Sequence, residues 1–198
     1  MKILVAGATG KTGRRLVEKL HRLGHQPIAL VRESSDTSTL SRGTLTRHGD
    51  LTDLPQDVCK DCDSVIFAAG SGGDTSAEMT DKIDRDGAKR LVDLAKQSGV
   101  SRFVMLSTVG AGDPDPESEL AHYLQAKHEA DEHLKRSGLD YAILRPVRLT
   151  EGDGTGKVQF GENVHPDAVA ARGDVAAALA DAVCNPNWSG KAQLMQSL

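Results

Sequence analysis

The stretch Val5-Ala-Gly-Ala-Thr-Gly-Lys-Thr-Gly-Arg-Arg-Leu-Val17 constrains this chain more than any other, because it admits two phosphate-binding folds that exclude each other. Gly10-Lys11-Thr12 resembles the end of a P-loop, whereas Gly7, Gly10 and Gly13 suit the turn of a dinucleotide fold. A P-loop needs a glycine five positions before its Gly-Lys-Thr, so that the loop can wrap a whole phosphate chain. That position is Val5, in the middle of the apolar run Ile3-Leu4-Val5-Ala6, and Gly7 stands too close to replace it. In the second reading a short strand runs into Gly-x-x-Gly-x-x-Gly and then into an amphipathic helix. Leu16, Val17, Leu20 and Leu23 give that helix one apolar face. The glycines allow a tight turn, close approach of backbone to a pyrophosphate, and contact between helix and strand. The free N–H groups and partial positive charge of the helix N-terminus then suit the phosphates. The strand before the glycines and the helix after them favour the dinucleotide reading.

A chain of 198 residues is expected to form one domain with a full core. Lys plus Arg number 24 against 28 Asp plus Glu, a net charge of −4, so neither nucleic acid nor an anionic membrane is expected as the main partner. No apolar run approaches a membrane span. The amino terminus enters a strand at once, which argues against a signal peptide and for a soluble, cytoplasmic protein. A monomer or small homo-oligomer acting on a small molecule is the expectation.

Cys59, Cys62 and Cys184 make no disulfide framework. Cys59-Lys60-Asp61-Cys62 has C-x-x-C spacing, but zinc would need two further ligands, and a redox pair should open a helix after a strand. This pair precedes a strand, so it is read as structural. His21 and His25 have a metal-compatible spacing without a third ligand, and a histidine near a helix C-terminus has a simpler dipole explanation. No metal site is expected.

Apolar runs and helical patterns alternate along the chain. Strands are expected at Lys2 to Ala6, Ile28 to Val31, Thr44 to His48, Val65 to Ala68, Phe103 to Leu106 and Tyr141 to Leu144. Helical stretches fall at 13–23, 80–98, 118–137 and 174–184, with Ala88, Leu91, Val92 and Ala95 on one face of the second. Short runs that are apolar on both sides suit parallel strands covered above and below by helices. The fold class is therefore α/β: a single-domain, Rossmann-like, doubly wound parallel sheet with helices on both faces. Gly152-Asp153-Gly154-Thr155-Gly156 reads as the bend of a hairpin beyond the sixth strand.

Ligands of open α/β sheets bind beyond the carboxyl ends of the strands. The segments found there are the glycine turn, Arg32 with Glu33-Ser34-Ser35, Gly49-Asp50-Leu51, Ala69-Gly70-Ser71-Gly72-Gly73, Ser107-Thr108-Val109-Gly110 and Arg145-Pro146-Val147. A strand ending in arginine, followed by serines, suits a 2′-phosphate, so NADP(H) is preferred over NAD(H). Glu33 could serve a 2′-hydroxyl only if the strand ended one residue later. Tyr123-x-x-x-Lys127 places a phenol and an ammonium one helical turn apart, on the face that also carries Ala130 and Leu134. A lysine on a face turned toward a sheet is costly to bury without purpose, and an ammonium beside a phenol makes a usable proton donor.

GATGKTG, Leu30-Val-Arg32, Gly49-Asp-Leu51, Leu106-Ser-Thr108 and "SGLDYAILRP" at 137–146 together resemble the atypical short-chain dehydrogenase/reductases. The resemblance is to their small NAD(P)H-binding branch, which includes flavin/biliverdin reductases and epimerase-like proteins, and it spans nearly the whole chain. It implies that Gly7, Thr9, Gly10, Lys11, Thr12 and Gly13 hold the pyrophosphate and that Asp50 and Leu51 flank the adenine. Ala68, Ala69 and Gly70 would then line the ribose and nicotinamide side, and Arg32 would meet the 2′-phosphate. It further implies Tyr123 as acid/base, Lys127 as its tuner and ribose anchor, and Ser107 as the group that orients the acceptor oxygen. Asp84 departs from the pattern, standing where many relatives carry asparagine, and the substrate-side segment at 146–173 is short for a sugar-nucleotide epimerase. The expected function is hydride transfer from NADPH to a carbonyl, quinone or flavin-like acceptor. The alternatives are a non-catalytic NADP(H)-binding sensor and an NAD-dependent epimerase or dehydratase.

Overall fold

The computed structural model describes residues 1–72 and 76–198; Gly73, expected at the end of the fourth strand, lies outside the described residues. Among the described residues an eight-stranded sheet runs β3-β2-β1-β4-β5-β6-β10-β8. Its strands are β1 (Lys2–Ala6), β2 (Gln26–Val31), β3 (Leu45–His48), β4 (Ser64–Phe67), β5 (Arg102–Leu106), β6 (Asp140–Pro146), β8 (Val158–Phe160) and β10 (Lys191–Ser197). All pair in parallel except β8, which runs antiparallel along β10. The helices are α1 (Lys11–Arg22), α2 (Ala77–Thr80), α3 (Ala88–Gln97), α4 (Ala121–Arg136) and α5 (Arg172–Cys184), with a π-helical turn, Asp81–Gly87, joining α2 to α3.

Alternation along the strands divides the core into two layers. Ile3, Val5, Ala29, Val31, Ile66, Val104 and Ala142 meet α1 and α5 on one face. Leu4, Ile28, Leu30, Val65, Phe67, Phe103 and Met105 meet α3 and α4 on the other. Both faces are apolar because both are covered, which is why these strands read as continuous hydrophobic runs.

Two sequence expectations need correction, and one strand was not anticipated. Leu23 was counted in the apolar face of α1 but is 51% exposed, since the helix ends at Arg22 and the chain turns away at Gly24. Residues 152–156 are not a hairpin bend. The flanking β7 (Arg148–Thr150) and β8 do not pair; β7 lies parallel to β9 (Val169–Ala171), and β8 pairs with β10. β10 itself carried no sequence signal. Its Lys-Ala-Gln-Leu-Met-Gln-Ser is mostly half-exposed and lacks β-branched residues, so it resembles neither a buried nor a clearly alternating strand.

Candidate cofactor and acceptor site

The glycine turn leaves β1 and enters α1 along the carboxyl edge of the sheet. Gly7 has φ +79°, and a Cβ there would lie 2.6–2.7 Å from the backbone of Ala68 and Ala69. A Cβ on Gly13 would overlap the Gly7 carbonyl. Only glycines allow this approach of helix, turn and neighbouring strand. Gly10 is the N-cap; its N–H donates to the Gly7 carbonyl at 3.0 Å, and no side chain caps the helix. The first turn of α1 contains no acidic residue, so its N–H groups and its positive end remain for an anion. Thr9 is half-buried in the turn, and Thr12 is buried. Lys11 reaches out to Glu151, 2.9 Å away. A cradle that side chains would fill, at a bare helix N-terminus, fits a pyrophosphate.

At the outer end, Arg32 is the first residue beyond β2. Its N–H donates to Ser35 Oγ, and the Ser35 N–H donates back to its carbonyl, both at 3.0 Å, making a tight turn. Its guanidinium makes no hydrogen bond or ion pair among the described residues. Glu33 instead turns toward His48, 3.4 Å away. Asp50 accepts from the Thr52 N–H at 2.9 Å and hydroxyl at 2.8 Å. Those bonds, with the Arg32 charge, hold its carboxyl below the usual range. Arg32, Glu33, Ser34, His48, Gly49, Asp50 and Pro55 line a cleft of about 450 Å³. Leu51 lies half-buried against Gly87 of the π-helical turn.

The inner end is built differently. Tyr123 and Lys127 do share one face of α4, but Lys127 is nearly inaccessible, and its Nζ lies 2.9 Å from Asp84 Oδ1. Its other contacts are the Ala69 and Leu106 carbonyls at 3.5 Å and the Phe67 and Tyr123 rings at 5.7 and 5.9 Å from their centroids. Burial pulls the Lys127 pKa down, but the charges of Asp84, Tyr123 and Asp131 and its hydrogen bond to Asp84 outweigh it, and the net shift is upward. The π-helical turn delivers Asp84; such turns recur at functional sites. The other Asp84 oxygen accepts the Ser71 N–H at 3.0 Å, and Gly70 packs on its carboxylate. Ala68 and Ala69 border Gly7, and Ala69 also meets Lys127, so this strip connects the two ends.

Ser107 stands at the end of β5 as expected, yet it is buried and its hydroxyl donates to Asp131 Oδ2 at 2.9 Å. The same oxygen accepts from Arg145 Nε at 3.0 Å, and Arg145 Nη2 lies 2.9 Å from it as an ion-pair contact. Burial pushes the Asp131 carboxyl upward against the pull of Arg145 and Ser107. Ser107 is thus committed to a buried network rather than presented to the cleft. Tyr123, half-buried, makes no hydrogen bond through its hydroxyl among the described residues. His122 beside it contacts Asp81 Oδ1 at 2.9 Å, tying the start of α4 to the π-helical turn.

The sequence reading missed Asp131, Glu151 and Arg172, and named Arg145 only as part of the segment beyond the sixth strand. Arg172 Nη1 donates to Thr12 Oγ1 at 3.0 Å across 160 residues, a contact with no local signature. The cysteines of the C-x-x-C lie in the core, the Cys59 thiol pushed up to about 12 by burial. His21 and His25 have separate partners, Thr44 and Cys184. Among the described residues no group of three or more His, Cys, Asp or Glu could hold a metal ion. No helix among them is long and apolar enough to cross a membrane.

Residues 7–186 match the model of the NAD(P)H-binding family, and the chain belongs to that family. It is 34% identical over 198 residues to the uncharacterized sugar epimerase YhfK of Bacillus subtilis, covering 97% of this chain and 92% of YhfK. A Bacillus halodurans structure, provisionally named an NAD-dependent epimerase/dehydratase, matches with TM-score 0.94 at 37% identity, over 100% of this chain and 94% of that one. The anaerobillin reductase ChuY of Escherichia coli O157:H7 matches with TM-score 0.81 at 28% identity, over 100% and 97%. Fold and family are those of the nicotinamide-binding, oxidoreductase-like proteins anticipated from the motifs.

Proposed function

We propose that the protein is an NADPH-dependent reductase of a carbonyl, quinone or flavin-like acceptor. The observation that carries this reading is Tyr123, a phenol with an unengaged hydroxyl one turn from a buried ammonium, which itself touches the strip flanking the glycine cradle. The likeness to a reductase of a conjugated pigment supports an acceptor of that kind. NADPH, when bound, supplies the hydride. Gly7, Thr9, Gly10, Lys11, Thr12 and Gly13 bind its pyrophosphate, Asp50 and Leu51 flank the adenine, and Ala68, Ala69 and Gly70 flank the nicotinamide side. Arg32 and the neighbouring serines take the 2′-phosphate, which favours NADP(H) over NAD(H). Tyr123 delivers the proton to the acceptor oxygen. Lys127 holds positive charge behind Tyr123 and clamps α4 to the ends of β4 and β5. Ser107 acts as a positioning residue through Asp131, keeping the end of β5 against α4.

Following NADPH absorbance against a panel of aldehydes, quinones and flavins tests the reading. Tyr123→Phe should lower aldehyde turnover by about 10²–10⁴ with cofactor affinity unchanged. Quinone or flavin reduction should survive, since those acceptors take protons from solvent. Wild-type aldehyde rates in the variant would remove Tyr123 from the mechanism. Cofactor binding without reduction of any acceptor would replace the enzyme with a sensor.

A further inference from the structure

Five charged side chains gather over the first turn of α1, and three of them, Lys11, Arg15 and Arg172, carry the sign that a helix N-terminus disfavours. Lys11 lies 2.9 Å from Glu151 Oε1, and Arg172 Nε lies 3.2 Å from the same oxygen. Arg15 adds contacts to Glu151 at 3.8 Å and to Asp153 at 3.3 Å. Arg172 is the first residue of α5, and its Nη1 binds the hydroxyl of Thr12, the second residue of α1. Its guanidinium therefore stands at the positive ends of two helices at once, where a cation is disfavoured unless an anion accompanies it. The anion present is Glu151, a half-exposed side chain on the connection between β7 and β8. Surface pairs of that kind are weak.

That connection is nevertheless held in place. The Gly152 carbonyl accepts the Gly173 N–H at 3.0 Å, and the Gly156 N–H donates to buried Asp174 at 2.9 Å. Glu151 is thereby fixed beside the turn that the proposed function assigns to the cofactor's pyrophosphate, and Lys11 holds its carboxyl below the usual range, so it stays ionised. A pyrophosphate at α1 and the Glu151 carboxylate would then draw on the same cations.

We propose that Arg172 is a pyrophosphate ligand of the bound cofactor, and that Glu151 is a competing carboxylate which occupies Arg172 and Lys11 until the cofactor displaces it. This inference rests on the placement of the pyrophosphate at α1. Because the pyrophosphate is common to both cofactors, Arg172 governs affinity for each, in contrast to Arg32, which governs the choice between them.

Calorimetric titration of the wild type, Arg172→Met and Glu151→Gln with NADPH and with NADH tests it, thermal unfolding confirming that each variant is folded. Arg172→Met should weaken both cofactors by about tenfold or more, leaving their ratio unchanged. Glu151→Gln should tighten both severalfold. Unchanged affinity in Arg172→Met, or weaker binding in Glu151→Gln, overturns the inference while leaving the cofactor reading intact. If Arg172→Met does not fold, Glu151→Gln alone decides. A wild type that binds neither cofactor overturns both.

Discussion

The two ends of the cleft use charge in opposite ways. At the phosphate end the backbone leaves donors open: α1 has no side-chain cap, and the Arg32 guanidinium has no protein partner among the described residues. At the acceptor end the buried charges are already matched, Lys127 by Asp84 and Arg145 by Asp131. An open end is built to take its counter-charge from a ligand. A closed end holds a geometry around the Tyr123 hydroxyl, to which the proposed function gives the proton transfer. Buried pairs of this kind contribute little net stability but are costly to break.

The largest expected effect lies at the closed end. Lys127→Met strands Asp84 in the core and should cost about 3–5 kcal/mol in urea unfolding. Adding Asp84→Asn should recover a good part of that loss. A cost under about 1 kcal/mol would show that water already reaches the pair, and the contrast between the ends would fail. The pH dependence sharpens the same point. The folded pKa of Lys127 is raised, so its stabilisation is complete below the ordinary lysine value of about 10.4 and is lost as pH climbs through the folded value. The Cys59 thiol, raised to about 12, acts in the same direction from its ordinary value upward. Stability should hold from neutrality to about pH 8.5 and then fall, with a shallower fall in Lys127→Met.

Next comes the open end. Gly13→Ala drives a methyl into the Gly7 carbonyl and should cost about 3 kcal/mol while abolishing NADPH binding. Wild-type affinity in that variant would mean that the turn is looser than its contacts indicate. The smallest effect concerns selectivity. A charged hydrogen bond is worth about 1.5–3 kcal/mol, so NADPH should bind about tenfold to a hundredfold tighter than NADH. Arg32→Ala should erase most of that gap and leave NADH binding nearly intact. Equal affinities in the wild type would remove Arg32 from the site.

Local chemistry made the open end readable. Gly7, Gly10 and Gly13 are spaced by the turn they form, and β1, β4 and β5 announce themselves because both of their faces are covered by helices. The closed end rests on contacts between distant residues. Nothing near Asp84 in the sequence marks it as the partner of Lys127, because a π-helical turn, rather than the regular helix expected there, brings it inward. Asp131 looks like an ordinary helix-surface residue, and Arg145 is marked only by its place at a strand end, until α4 and β6 are packed together. Tyr123 and Lys127 were legible as a pair; that their surroundings would absorb the lysine and Ser107 was not.

The position of β10 bears on how the chain is made. Among the described residues it follows every other strand in the chain, yet it sits inside the sheet between β6 and β8. Until residues 191–197 emerge from the ribosome, β6 has one bare edge, β8 has no partner in the sheet, and Asp174 lacks the Ser197 hydroxyl that binds it at 2.6 Å. A nascent chain halted at Trp188 would carry nearly the whole nucleotide cradle while exposing an apolar strand edge, the kind of surface on which chains pair with one another. A growing chain therefore carries that open edge until residues 191–197 have joined β6.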